Sequence, residues 1–155
     1  MKISDDRGMT WNEPISLLKP TDKVERIEIA SDGDKVLVMW AASSYYQLIY
    51  STNGGASWEV DVNEYEYTGR SYPAVDIENG YIYVIAVKSA STTEEQSVGL
   101  TAEEPPLVGT YTELKWGPEG SEEVNTKNLE MAYSVSDIEV VGETVYIAAL
   151  SSGKK

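Results

Sequence analysis

The chain has 155 residues, 26 acidic and 12 basic, for a formal charge of −14, and it contains neither cysteine nor histidine. That composition removes disulfides, thiol nucleophiles, histidine general bases and almost every zinc or copper site. The only adjacent basic residues are Lys154 and Lys155, so no basic footprint exists for a phosphate backbone or an anionic membrane surface, and neither nucleic acid nor membrane is expected as a partner.

A hydrophobic share of 41% and a charged share of 25% fit one soluble domain spanning 1–155. Aromatic residues are eleven Tyr and four Trp with no Phe, a choice that suits half-buried sheet positions where a polar tip reaches water or a partner. No apolar run reaches the length of a membrane span, and MKISDDRG does not resemble a secretory signal. The expected location is the cytoplasm, or the cell surface or exterior if a signal has been removed.

In chain order, Lys2-Ile3 reads as the stub of a strand, followed by the octapeptide SDDRGMTW (Ser4 to Trp11). The run VERIEIASDGDKVLVMWAAS then alternates around a turn at Asp32-Gly33-Asp34. A strand through Leu48 to Tyr50 leads into a second octapeptide, STNGGASW (Ser51 to Trp58), and WEVDV leaves it. SYPAVDIENGYIYVIAVKS repeats the hairpin pattern around Asn79-Gly80, and AYSVSDIEVVGETVYIAALS repeats it around Gly142-Glu143. Gly or Asn-Gly at each tip supplies the positive φ that tight hairpins need.

The repeat is anchored on tryptophan. Trp11 and Trp58 each stand 22 positions before a turn glycine, Gly33 and Gly80, and Trp116 stands 26 before Gly142. This order predicts units near 11–58, 58–116 and 116–150 after a partial strand and first octapeptide at 1–10, each unit of four antiparallel strands. Four-stranded units at this period predict an all-β fold, a β-propeller of about three blades per chain. Gly109 to Trp116 (GTYTELKW) is read as a third unit that has lost its octapeptide to the long acidic stretch 91–109, which contains Pro105-Pro106.

The octapeptides resemble the Asp-box, or bacterial neuraminidase repeat, with pattern S-x-D-x-G-x-T-W. The first copy matches at Ser4, Asp6, Gly8, Thr10 and Trp11, the second at Ser51, Asn53, Gly55, Ser57 and Trp58. The resemblance implies a sialidase-like propeller in which the box joins the third and fourth strands of a blade, opposite the usual site. Asn53 keeps an acceptor oxygen without a charge, so the box is expected to be structural.

Sialidases of that family use three arginines, a tyrosine nucleophile assisted by Glu, and an Asp acid/base. This chain has only Arg7, Arg26 and Arg70; Arg7 lies in the first box, and Arg70 stands three residues before Pro73 where the family pattern has two. A one-residue slip turns a strand side chain to the other face. No catalytic residues, no metal and no cofactor are assigned.

The expected function is a non-catalytic glycan- or protein-binding or scaffold module, with a sialidase-like glycosidase active only in a complete ring or longer parent as the alternative. A ligand is expected on the loops near 42–46, 63–72, 88–96 and 117–133, with Tyr45, Tyr65, Tyr67, Arg70 and Tyr72 as candidate contacts. Three blades leave two open flanks. These are expected to be covered by a second copy in a homodimer of six blades, or by further blades of a longer chain.

Overall fold

A computed structural model describes residues 1–18, 23–61, 63–67, 71–89, 110–118, 121, 124–129 and 134–150. Among them the chain is all-β and antiparallel, in sheets of which none closes on itself. Arg70 and the stretch 91–109 lie outside the described residues.

Sheet A is a meander of β1 (Arg26–Asp32), β2 (Lys35–Ala41) and β3 (Tyr45–Ser51), with β4 (Glu59–Val60) and β5 (Tyr65–Glu66) as successive stretches along the same edge of β3. Sheet B repeats the order with β6 (Ala74–Glu78), β7 (Tyr81–Ser89), β8 (Thr110–Pro118) and β9 (Asn125–Asn128). Sheet C holds two strands, β10 (Ser134–Val141) and β11 (Thr144–Leu150).

All three expected hairpin turns form, and their chemistry differs. Asn79 and Gly80 both take positive φ (52° and 78°), as a type I′ turn requires. At the other two tips only the first central residue does so, Gly33 at 59° and Gly142 at 62°, the pattern of a type II′ turn.

The sheets stack face to face. Leu37, Met39, Tyr46 and Leu48 of sheet A pack with Val75, Ile77, Val84 and Ala86 of sheet B. The opposite face of sheet B, with Ile85, Val87 and Leu114, packs with Val135 and Ile138 of sheet C. Residues Met1, Leu17 and Leu18 cover Val38, Trp40 and Ile49 on the outer face of sheet A. The first strands of the three sheets, β1, β6 and β10, lie side by side.

Backbone amides stitch these first strands together through carboxylates on the preceding one. Glu28 Oε2 accepts from Val75 N (3.3 Å) and Asp32 Oδ2 from Asn79 N (2.8 Å). At the next junction Asp76 Oδ2 accepts from Val140 N (2.5 Å) and Glu78 Oε1 from Gly142 N (3.2 Å). Much of the chain's acidity at these strands therefore satisfies amides that no sheet ladder reaches.

Two sequence expectations need correction. Trp116 lies within β8, paired with Tyr83, before the connection from third to fourth strand, whereas Trp58 follows that connection. The box position in sheet B therefore falls between Pro118 and Asn125, and the stretch 91–109 joins β7 to β8 and replaces no box. The expected loop 117–133 also contains a strand, β9, paired with β8 from Glu113↔Asn128 to Trp116↔Asn125.

Candidate functional site

Strand direction sorts the connections to two ends of the stack. The boxes and the three hairpin tips share one end; the β2–β3 turn and the passage from β5 to β6 share the other. A seven-residue strand separates the ends by roughly 20 Å.

At the box end the two octapeptides fold alike. Ser4 Oγ donates to Asp6 Oδ1 (2.8 Å) and accepts from Gly8 N (2.7 Å), while Thr10 N donates to Asp6 Oδ1 (2.8 Å). The second box repeats each contact: Ser51 Oγ to Asn53 Oδ1 (3.0 Å), Gly55 N to Ser51 Oγ (2.8 Å) and Ser57 N to Asn53 Oδ1 (2.8 Å). Only the last bond reverses. Thr10 Oγ1 donates to Asp6 Oδ2 (2.6 Å), whereas Asn53 Nδ2 donates to Ser57 Oγ (2.8 Å).

Both boxes bend through two consecutive left-handed residues, Arg7 and Gly8 (φ 60° and 85°) and Gly54 and Gly55 (65° and 88°). A methyl group on Gly55 would come within 2.4 Å of Ile3 Cδ1 and 3.3 Å of the Trp58 ring, so Ile3, the residue before the first box, packs directly over Gly55, whose φ of 88° favours glycine. Trp58 Nε1 donates to the Gly55 carbonyl (3.0 Å), and Trp11 remains 57% exposed. Four donors hold the Asp6 carboxyl down to about 2, the Thr10 hydroxyl first, then the Thr10 amide, the Ser4 hydroxyl and the Met9 amide. The serine, Asp or Asn, and threonine or serine of each box are thus bound within that box, while Gly54 N donates outward to the Asp34 carbonyl (2.7 Å). A shallow cleft of about 420 Å³ runs between the two, lined by Ile3, Trp11 and Gly54 among others.

The first box also joins two extended stretches: Asn12 N donates to Ile3 O (3.0 Å), the same relation to the octapeptide that Tyr50↔Glu59 has to the second. One step further the pairing moves to Ile15 and Met1 (2.8 Å), because Pro14 has no amide to donate.

The opposite end gathers most of the candidate tyrosines. Tyr65 stacks on the buried Tyr46 (ring centroids 5.1 Å, planes 19° apart), Tyr46 meets Tyr67 at 6.4 Å, and Tyr67 meets Tyr72 at 6.3 Å. Tyr67 is buried, with its hydroxyl bonded to the Ala42 carbonyl, so it is the back wall of this ladder. Tyr72 is its mouth, 39% exposed. Asp61 fixes the side: its Oδ2 accepts from the Tyr65 hydroxyl (2.6 Å), and its Oδ1 accepts from Asn63 N (2.9 Å) and Nδ2 (3.0 Å).

Tyr45 does not join them. Adjacent strand residues point to opposite faces, and Tyr45 lies edge-on to Trp40 (5.5 Å, 79°) on the outer face of sheet A. Tyr46, absent from the candidate contacts, takes its place; alternation along β3 was the signal available for choosing between them.

Burial pushes the Tyr65 and Tyr67 hydroxyls up to about 12, and Asp61 adds to the rise at Tyr65. Burial raises Tyr46 further still and lowers Lys88, whose ammonium donates to the Glu66 carbonyl beside the ladder. Burial thus disfavours the phenolate form at each of these three tyrosines. Arg26 is held by Glu28, Nε and Nη2 both on Oε1 (3.0 and 2.5 Å), and Arg7 sits at the box end. Among the described residues no group of three or more carboxylates could hold a metal ion. Comparison with family models, curated proteins and solved structures finds no match to this chain.

Proposed function

We propose that the chain is a run of consecutive blades of an Asp-box β-propeller, and that it acts as a non-catalytic module binding a glycan at its tyrosine end. Four-stranded meanders with neighbouring first strands, and a box between third and fourth strand, support the propeller reading. The observation that carries the ligand reading is Tyr72, an exposed ring braced from behind by Tyr67. A rigid aromatic face stacks on a sugar ring at little entropic cost, and nearby carboxylates accept from its hydroxyls. The raised phenols and the separation of Arg7 from Arg26 favour binding over hydrolysis.

An immobilised glycan panel probed with the whole chain tests this, followed by titration of the tightest glycan against Tyr72→Ala. Truncation is expected to weaken binding about tenfold or more. Failure to retain any glycan, or equal affinity of the variant, overturns the reading.

A further inference from the structure

The two ends of the stack differ in a complementary way. On the outer face of sheet A, Val38 and Trp40 of β2 are buried beneath Met1, Leu17 and Leu18, but their cross-strand partners on β1, Ile29 and Ile27, are 63% and 58% exposed. The β1 side of that face is therefore bare, as is Val60 (51% exposed) at its far edge. On the opposite side of the stack, sheet C has two strands among the described residues, a first strand and its neighbour. Its outward face carries Asp137, Glu139, Tyr146 (58% exposed) and Leu150 (70% exposed).

We propose that the β10–β11 hairpin of a second copy of this chain occupies the bare β1 side of sheet A, with Tyr146 and Leu150 against Ile27 and Ile29. Two such contacts related by a twofold axis close a pair, each copy giving its sheet C to the other's sheet A. The inference rests on the stacking of the sheets and not on the glycan reading.

Three observations choose a second copy. The first is continuity with the internal junctions, where carboxylates of one first strand accept amides of the next. Asp137 repeats the Asp76 arrangement: Ile138 N donates to Asp137 Oδ1 (3.0 Å) as Ile77 N donates to Asp76 Oδ1 (2.8 Å). Asp76 Oδ2 then reaches the following sheet, whereas Asp137 Oδ2 has no such partner among the described residues. In the proposed pair, β1 of the second copy is the first strand that Asp137 meets.

The second is strand count. Met1–Ile3 and Asn12–Ile15 pair around the first box as third and fourth strands do around the second. Beside the free edge of β11 they complete four positions across the sheet, as in sheet B and in sheet A, where β4 and β5 share the fourth. The third is charge. Contact between two sheet C surfaces would set Asp137 and Glu139 against their own copies in a chain of net charge −14, so that pairing is disfavoured and sheet C is left to meet the uncharged Ile27 and Ile29 of sheet A.

Sedimentation of the whole chain from micromolar to millimolar concentration tests the pairing. A reversible dimer is expected, and Ile29→Glu or Leu150→Glu alone should weaken it about tenfold or more. Both positions are exposed in the single copy, and an unchanged circular-dichroism spectrum verifies the fold of each variant. An equimolar mixture of the two variants restores one unaltered junction, so it should dimerise more tightly than either alone. A monomer at every concentration overturns the proposal and assigns the open ends to flanking chain. So does a dimer indifferent to both substitutions, or a mixture no tighter than its parts.

Discussion

Asp6 and Asn53 hold the same position in their boxes and accept the same amide, Thr10 N and Ser57 N at 2.8 Å each. They differ in one group, a carboxylate oxygen in Asp6 where Asn53 has an NH2. Asp6, acceptor only, accepts a hydrogen bond from the Thr10 hydroxyl, while the Asn53 amide donates one to the Ser57 hydroxyl. The folded Asp6 carboxyl sits at about 2 against an ordinary 3.8, so its contribution to stability is present above the ordinary value and is lost as pH falls through about 2. Asn53 has no such dependence. Amide exchange across this range should therefore show Gly8 and Thr10 losing protection before Gly55 and Ser57, and Asp6→Asn should abolish the difference. Acid unfolding of the whole molecule moves both boxes alike, so simultaneous loss in the native chain would sink the assignment.

The linking element is the first strand with its carboxylates. Asp76 bridges its own neighbour, Ile77 N, and the next sheet, Val140 N. Asp76→Ala leaves both amides unpaired in a part-buried seam and is expected to cost about 1–3 kcal/mol in chemical denaturation, with faster exchange at Val140. Asp76→Asn, which keeps an acceptor, should cost less; a loss below about 0.5 kcal/mol for the alanine variant would refute the role. The DIE and IEI runs of these strands read from sequence as alternation alone, because their partners lie 47 or 64 residues away. Hairpins were legible because a tip glycine and β-branched flanks are local features. β9 was not, since NTKN has no apolar residue and joins an edge through backbone pairing only. Trp116 misled because residue type alone does not separate a tryptophan in a third strand from one that follows a box. Of the site, the cluster of Tyr65, Tyr67 and Tyr72 was legible, while the exchange of Tyr45 for Tyr46 needed the register of β3.

At the scale of the molecule, stability should fall from the centre of the stack outward. Sheet B is covered on both faces, with Val84, Ile85, Ala86 and Val87 all buried in β7. Sheet A is covered on one face and half of the other, and sheet C on one face only. A two-stranded hairpin is marginal by itself, so β10–β11 relies on Val135, Ile138 and Val140 buried against sheet B, and on the Ser71 Oγ bond to the Val135 carbonyl (2.9 Å). Hydrogen exchange on the Leu150→Glu chain, which reads the single copy, should rank β7 slowest, β2 next and β11 fastest. In the unsubstituted chain, raising the concentration should slow β1 and β11 and leave β7 unchanged, since a partner adds cover only where the stack is bare. Protection of β11 equal to that of β7 in the Leu150→Glu chain would mean that the stack opens as one cooperative unit, and that burial does not set the order.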